Sequence, residues 1–226
     1  MRSRDPDRAA GRYWVTYKAD GTRYMLLLMN YGAYVIGRDF EVQRVEVRFP
    51  ACFRNDTSTA NPGVPHHMTL LDGEMVIDHD PETNQYIRKC LVYDLVIHQG
   101  QSWMELPWKQ RFAKLQEIIS VRNYEKTKID KHEWPFEYRY AEEPFDVQAK
   151  MFWCMGQVEG IVKTIPKLLH ECDGFIFQAY EDQYQIGTHE ELLKWKYPHM
   201  NSVDFRFRQS PGHARIVFTE SDILLV

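Results

Sequence analysis

The sequence contains few cysteines, which excludes two kinds of stabilised scaffold. Its four cysteines, Cys52, Cys90, Cys154 and Cys172, lie far apart in a chain of 226 residues. Structural zinc sites use cysteine pairs about two to four residues apart, and disulfide-stapled domains have a much higher cysteine content. We therefore expect reduced thiols and an intracellular protein.

The sequence also lacks a long apolar run and an excess of positive charge. No apolar run approaches the roughly 20 residues of a membrane-spanning helix, and the polar segment 1–12 does not resemble a signal sequence. The chain carries 28 Lys+Arg against 32 Asp+Glu, a formal charge of -4, which disfavours a general nucleic-acid coat protein. Any contact with nucleic acid is expected to be local.

A glycine-rich phosphate loop is absent, which disfavours the Rossmann type of nucleotide site. Short β-branched and aromatic runs instead predict strands at residues 13–17, 24–29, 34–36, 42–49, 69–78, 86–97 and 175–177. Apolar residues at helical spacing predict helices over residues 107–121 and 151–164, and a shorter one over 166–170. This order of elements favours an α+β fold built on antiparallel sheets.

Five short charged motifs interrupt the predicted strands. They are Lys18-Ala19-Asp20-Gly21-Thr22-Arg23, Asp72-Gly73-Glu74, Tyr93-Asp94, Asp173-Gly174-Phe175-Ile176-Phe177 and Lys194-Trp195-Lys196. Each alone is compatible with an ordinary role, such as an Asp-Gly turn, a satisfied sheet-edge carboxylate or a solvated strand face. Together they place several acids and cations among apolar neighbours, where unpaired charge is costly to bury. This combination favours a cleft of paired charges that binds a nucleotide.

In this order, the motifs resemble those of the covalent nucleotidyltransferases, which include ATP-dependent DNA ligases, RNA ligases and mRNA guanylyltransferases. Their particular forms, with Asn201-Ser202-Val203-Asp204-Phe205-Arg206 after the last motif, are similar to the guanylyltransferase of eukaryotic mRNA capping enzymes over about residues 12 to 208. The resemblance implies an α+β, antiparallel-sheet nucleotidyltransferase core. This core is the ATP-grasp-like catalytic domain of ligases and capping enzymes, followed here by an incomplete C-terminal oligonucleotide-binding (OB) fold.

The resemblance also implies a domain organisation. We expect a flexible lead-in over residues 1–12, the nucleotidyltransferase domain over 13–204, and the start of a truncated OB-fold domain over 205–226. Family members end the OB fold in an Arg-x-Asp-Lys-type motif, which residues 206–226 do not contain. We therefore expect a fragment, an isoform or a chain that another polypeptide completes. Self-guanylylation is expected to be slow because the leaving pyrophosphate lacks that support.

A two-step reaction follows from the resemblance. The motif lysine, here Lys18, attacks the α-phosphorus of GTP, pyrophosphate leaves, and GMP stays on the lysine as a phosphoramidate. GMP then passes to the 5′-diphosphate end of nascent RNA and forms the mRNA cap. Since lysine has a reference pKa of about 10.4, a nucleophilic lysine must lose its proton with the help of nearby cations or desolvation.

Roles in nucleotide binding are implied by motif position. Arg23 and Glu74 would hold the ribose and orient the nucleotide. Arg38 would contact the ribose or the phosphates, and Ile176 would lie against one face of guanine. These assignments rest on the resemblance alone.

Roles in phosphate and metal binding are implied in the same way. Lys194 and Lys196 would bind the α-phosphate, and their spacing of two places both on one face of a strand. Asp173 would act through the metal, and Asp204 would support the metal or the pyrophosphate. The expected cofactor is Mg²⁺ or Mn²⁺, for which carboxylate and phosphate oxygens are the usual ligands.

Two alternatives remain open. An ATP-dependent polynucleotide ligase of the same superfamily would be labelled on Lys18 by ATP instead of GTP. A catalytically weak nucleotide-binding or scaffold module would keep the cleft and dock partners such as the phosphorylated C-terminal tail of RNA polymerase II, a contact known in the family. The expected partners are GTP, the 5′-diphosphate end of nascent RNA and, in the scaffold alternative, that tail. No membrane is expected, and the expected location is the nucleus.

Overall fold

The fold is taken from a computed structural model of the chain, which describes residues 12–51, 65–187, 189–201, 207–210 and 213–216. The strands are β1 (Tyr13–Ala19), β2 (Thr22–Met29), β3 (Gly32–Ile36), β4 (Val42–Val45), β5 (Thr69–Asp80), β6 (Gln85–His98), β7 (Gln101–Ser102), β8 (Asp146–Ala149), β9 (Trp153–Cys154), β10 (Cys172–Ala179), β11 (Leu193–Lys196), β12 (Phe207–Ser210) and β13 (His213–Ile216). The α-helices are α1 (Trp108–Asp130) and α2 (Val158–Thr164), and short 3₁₀ segments cover Tyr140–Glu142, Met155–Gln157, Ile165–Lys167 and Pro198–Met200.

Two sheets form the body of the described structure. The larger sheet has the order β4-β3-β2-β5-β6-β7, with β8 pairing in parallel to β6. The smaller sheet has the order β11-β10-β1-β9, and β12 pairs with β13. Apart from β8, each strand pairing is antiparallel. The predicted α+β class with antiparallel sheets is therefore confirmed.

Helix α1 packs against β6 and β8 through the apolar face that its sequence predicts. Phe112, Leu115 and Ile118 on this face are buried, and burying side chains of this size stabilises the fold by about 1.5–3 kcal/mol each. The helix continues to Asp130, nine residues beyond the predicted end at residue 121. Among the described residues, no helix has both the length and the apolar character needed to cross a membrane.

Buried ion pairs explain why α1 is longer than its apolar pattern. Arg122 of α1 forms an ion pair with Glu143. Glu125 of α1 accepts hydrogen bonds from Arg48, with 2.6 Å between Arg48 Nε and Glu125 Oε1. The Tyr140 hydroxyl donates to the same Glu125 oxygen at 2.6 Å. Arg122 and Glu125 are buried, and each has a partner, so the buried face of the helix extends where hydropathy shows only polar residues.

The segment before α2 differs from the prediction. A helix was expected over residues 151–164, but Trp153 and Cys154 form β9, and α2 begins only at Val158. Strand β9 pairs with β1, with Trp14 opposite Cys154. Pairing with a distant strand therefore overrides the helical pattern of this segment. The predicted helix over 166–170 is likewise a 3₁₀ turn at Ile165–Lys167.

Acid is expected to destabilise the fold through His66. This residue is 3% exposed, and its Nδ1 lies 3.2 Å from Thr69 Oγ1 and 3.3 Å from Gln99 Nε2. Burial, followed by the charge of His98, lowers the pKa of His66 from 6.5 to about 4. Between these values the unfolded chain binds a proton that the folded chain does not. Stability is thus full above pH 6.5 and falls by about 3 kcal/mol as the pH drops to 4.

Urea unfolding at about pH 7 and about pH 4.5 measures this loss. The substitution His66→Gln should make the free energy of unfolding less dependent on pH over this interval. His67→Gln is the matched control because His67 is exposed, and its pH dependence should equal that of the unchanged chain. An unaltered pH dependence in His66→Gln would show that other groups cause the acid sensitivity.

Candidate active site

The smaller sheet brings together three of the predicted site residues from three strands. Lys18 on β1 lies opposite Gly174 on β10, and Gly174 lies opposite Lys196 on β11. The Lys18 Nζ donates to both oxygens of Asp173 at 2.7 and 2.8 Å, and Lys196 Nζ lies 2.9 Å from Asp173 Oδ2. One carboxylate is therefore held between two lysines.

This carboxylate is ionised at neutral pH. Burial alone would raise the pKa of Asp173, but hydrogen bonds from Lys18 and Lys196 outweigh it and hold the pKa below its ordinary value. The hydrogen bond to Asp173 in turn raises the pKa of Lys196. The side chains of Lys18 and Asp173 are 22% and 13% exposed, so the pair is partly buried and a small ligand can still reach it.

Gly174 is a strand residue, and the alternative that Asp173-Gly174 forms an ordinary turn is wrong. A Cβ built at Gly174 would lie 1.9 Å from the carbonyl oxygen of Trp195 on β11. Only glycine allows β10 and β11 to approach this closely. The same pairing sets Lys194 opposite Ile176, so Lys194 and Lys196 share one face, as their spacing predicts.

Within the described part of the chain, Lys194 makes no ion pair. Its side chain is exposed on the edge strand β11, next to Ile176 on the same face. The structure therefore places Lys194 two residues before Lys196 on the same face of β11 and does not fix its side chain. An exposed lysine without an ion pair is available to an anionic ligand.

Arg23 and Glu74 lie opposite each other on β2 and β5 of the larger sheet. The Arg23 guanidinium binds Asp72 through two hydrogen bonds, Nε to Oδ1 at 2.9 Å and Nη2 to Oδ2 at 2.6 Å. This hydrogen bonding raises the pKa of Arg23 further above its ordinary value. The side chain is nevertheless 45% exposed, so the cation is fixed in position and still accessible.

Arg38 is not joined to the other predicted site residues by any contact in the described structure. It lies in the exposed turn after β3, two residues beyond the pair formed by Met25 and Ile36. In the same turn, the Gly37 amide donates to the carbonyl of Glu41 at 2.9 Å. Extended along its register, β3 would place Arg38 in line with Arg23, at the same end of the sheet.

Lys150 is a functional candidate that the sequence motifs do not include. Its side chain is 1% exposed, its Nζ lies 3.3 Å from Glu74 Oε2, and the same atom lies 5.2 Å from the ring centre of Tyr17. Burial lowers the pKa of Lys150; Glu74 opposes this shift, and the charge of Lys18 adds to it. In the sequence, the signal for this buried cation is a single lysine flanked by Ala149 and by Met151-Phe152-Trp153.

The Tyr93-Asp94 motif divides into a site residue and a structural one. Asp94 is buried and accepts two hydrogen bonds from Arg111 of α1, at 2.7 and 2.8 Å. It therefore ties α1 to β6 and takes no part in the cleft. The Tyr93 hydroxyl instead donates to Asp72 at 2.9 Å and supports the carboxylate that holds Arg23.

The predicted metal-binding residues are described only in part. Asp173 is placed as above, whereas Asp204 lies outside the described residues. In the described ranges, no group of three or more His, Cys, Asp or Glu side chains is arranged to hold a metal ion by itself. A metal at this site would therefore need oxygen ligands from the bound substrate.

Comparisons with known proteins identify a family that the chain resembles over most of its length. Residues 8–198 match the family model of the mRNA capping enzyme, catalytic domain. The chain is 36% identical over 206 residues to the mRNA-capping enzyme of Danio rerio, covering 87% of this chain and 31% of that protein. It is 31% identical over 207 residues to the mRNA-capping enzyme subunit alpha of Neurospora crassa, covering 87% of this chain and 48% of that protein. The chain thus spans from about 31% to about 48% of the length of these relatives.

A solved structure shows the same fold. The chain is similar to a mycobacterial DNA ligase D complexed with ATP and MES, with a TM-score of 0.50 and 16% sequence identity. The similarity covers 82% of this chain and 55% of the ligase chain. At this level of identity, the comparison shows a shared fold and does not indicate a shared substrate.

Proposed function

The chain belongs to the family of mRNA capping enzyme catalytic domains, and from this membership we propose that it is an mRNA guanylyltransferase. In this proposal, GMP passes from GTP through a lysyl-GMP intermediate to the 5′-diphosphate end of RNA. The observation that carries the proposal is the position of Lys18, whose Nζ is bound by Asp173, the carboxylate that also binds Lys196. Lys18 is the lysine of the family's first motif.

The first step forms the bond between Lys18 Nζ and the α-phosphorus and breaks the bond from that phosphorus to the pyrophosphate oxygen. The nitrogen must be neutral to attack, so it loses a proton to solvent water and leaves its hydrogen bonds with Asp173. Lys196 and the exposed Lys194 then bind the phosphate oxygens, which carry the charge that develops in the transition state. Because both lysines lie on one face of β11, they reach the phosphate oxygens from the same side.

The nucleoside is proposed to bind between the two sheets. Arg23 and Glu74 would hold the ribose hydroxyls, since the guanidinium is a donor and the carboxylate an acceptor. Lys150 would keep the Glu74 carboxylate in one orientation through its 3.3 Å contact. Ile176 would lie against guanine, and Arg38 would reach the ribose or phosphates from the turn after β3.

A divalent cation fits the donor chemistry of the site. Asp173 offers carboxylate oxygens at the place where the phosphates would bind, and Mg²⁺ is usually held by one or two carboxylates together with substrate phosphates. We propose Mg²⁺ or Mn²⁺, held by Asp173, the GTP phosphates and Asp204. When bound, the ion would neutralise negative charge on the phosphate groups.

We also propose partners and a cellular location for this chain. A guanylyltransferase acts on GTP and on the 5′ end of nascent RNA, which places the proposed activity in the nucleus. Binding of the phosphorylated tail of RNA polymerase II stays a prediction. The net charge of -4 is compatible with an RNA substrate, because contact with one 5′ end requires only a local basic surface.

Covalent labelling tests the proposal. The chain is incubated with Mg²⁺ or Mn²⁺ and GTP labelled at the α-phosphate, then denatured. We expect a protein-bound label that is labile in acid and stable in alkali, as a phosphoramidate is. GTP labelled at the γ-phosphate is the control and should leave no label, because that phosphate departs with pyrophosphate.

Two results would favour the alternatives. Label from α-labelled ATP and none from GTP would make the chain a polynucleotide ligase of the same superfamily. Absence of label from either nucleotide, together with measurable GTP binding, would support a nucleotide-binding scaffold.

A further inference from the structure

Asp72 is the centre of a hydrogen-bond network on the larger sheet. Its side chain is 3% exposed, and it accepts four hydrogen bonds. Two come from Arg23, one from the Tyr93 hydroxyl at 2.9 Å, and one from the Tyr184 hydroxyl at 2.8 Å. Each carboxylate oxygen therefore accepts two hydrogen bonds, which is close to its full capacity.

Tyr184 also contacts Arg23 directly. The Nη2 atom of Arg23 donates to the Tyr184 hydroxyl at 2.9 Å, while that hydroxyl donates its own proton to Asp72. Burial, together with the charge of Asp72, raises the pKa of Tyr184, so the hydroxyl keeps its proton at neutral pH. The Tyr184 hydroxyl therefore contacts both Arg23 and Asp72, whereas the Tyr93 hydroxyl donates to Asp72.

The network leaves one edge of the Arg23 guanidinium available. Nε and Nη2 are occupied by Asp72 and Tyr184, and within the described structure Nη1 has no hydrogen-bond partner. With a side chain that is 45% exposed, Arg23 remains accessible to a ligand. A guanidinium held on two of its nitrogen atoms loses little rotamer freedom when it binds a ligand through the third.

The backbone around Tyr184 is anchored to the segment that leads into α1. The Tyr184 amide donates to the carbonyl of Met104 at 2.8 Å, and the Gln183 side chain donates to the carbonyl of Glu105 at 3.0 Å. The guanidinium of Arg111 on α1 lies 5.7 Å from the centre of the Tyr184 ring. The phenol is therefore supported from a part of the chain that is separate from β2 and β5.

We propose that Tyr184 is a positioning residue for nucleotide binding, which acts by fixing Arg23 through Asp72. In this role it contacts no substrate atom itself. It holds the guanidinium so that Nη1 faces the ribose of the bound nucleoside triphosphate. The proposal rests on the proposed function, because it assigns the ribose contact to Arg23.

Tyr184→Phe tests this role in the reaction with α-labelled GTP. The substitution removes one hydroxyl and keeps the ring. KM for GTP is read here as the concentration that gives half the maximal rate of labelling, and kcat as that maximal rate. KM should rise roughly five- to tenfold, the effect of one lost hydrogen bond. Because Arg23 lies at the ribose and not at the reacting phosphorus, kcat should stay within about twofold. Tyr180→Phe is the matched control, since it removes a hydroxyl from the same segment and leaves the four hydrogen bonds of Asp72 in place. Its KM should equal that of the unchanged chain.

A double-mutant cycle separates positioning from a structural role. In an Arg23→Ala background, Tyr184→Phe should have no further effect on KM, because the group that it positions is gone. An equal rise in KM in both backgrounds would overturn the inference, and so would a lower melting temperature with an unchanged KM.

Failure of this inference and failure of the proposed function are distinguishable. Absence of label in the unchanged chain overturns the guanylyltransferase proposal. Label in the unchanged chain, with the same KM in Tyr184→Phe, overturns only the role of Tyr184.

Discussion

Replacing Lys18 by alanine is expected to abolish covalent labelling by GTP, with a loss of at least about 1,000-fold. The substitution removes the nitrogen that forms the bond to phosphorus. The neighbouring lysines should not take its place, because Lys150 is 1% exposed and bound to Glu74, and Lys194 and Lys196 extend from a different strand, β11. The measurement is the amount of acid-labile label per mole of protein after denaturation.

Lys18→Arg separates the chemical role of Lys18 from its structural role. Arginine retains the positive charge that pairs with Asp173, so the fold and the binding of GTP should be largely preserved. A guanidinium keeps its proton in proteins and is not a nucleophile, so label should be absent, as in Lys18→Ala. Label that persists in both variants would place the nucleophile elsewhere and remove the central observation of the proposed function.

Much of the site is predictable from the sequence because its charged residues lie in short motifs on strands. The period of two places Lys194 and Lys196 on one face, and the register opposite Ile176 and Gly174 confirms this placement. The pairing of Asp173 with a cation is predictable in a similar way, because a carboxylate at the start of an apolar strand requires a cationic partner. These inferences need only local geometry.

Contacts between distant segments could not be predicted in this way. Lys150 reaches Glu74 across 76 residues, and Tyr184 reaches Arg23 across 161 residues. Neither lies in a charged motif, and a single tyrosine or lysine carries no signal for the partner that it meets. The same reason explains β9, whose pairing with β1 depends on a strand about 140 residues earlier in the chain.

Replacing Gly174 by alanine is expected to lower the rate of labelling by about 100-fold or more, although no charged group is lost. A Cβ at this position would lie 1.9 Å from the Trp195 carbonyl oxygen and 2.8 Å from its carbonyl carbon. Both are backbone atoms, so no side-chain rotation relieves the contact, and β11 must move away from β10 by more than about 1 Å. Lys194 and Lys196 would move with it, and a displacement of this size is enough to misalign an in-line attack.

Gly156→Ala is the matched control for the same chemical change. A Cβ at Gly156 would have no atom within 4 Å, and Gly156 is not among the glycines with positive φ. Its rate should therefore stay within about twofold of the unchanged chain. Circular dichroism and thermal melting establish whether Gly174→Ala remains folded, because β11 is an edge strand and most of the core lies in the larger sheet. A folded Gly174→Ala chain that is labelled at the ordinary rate would show that the lysines of β11 do not bind the phosphates.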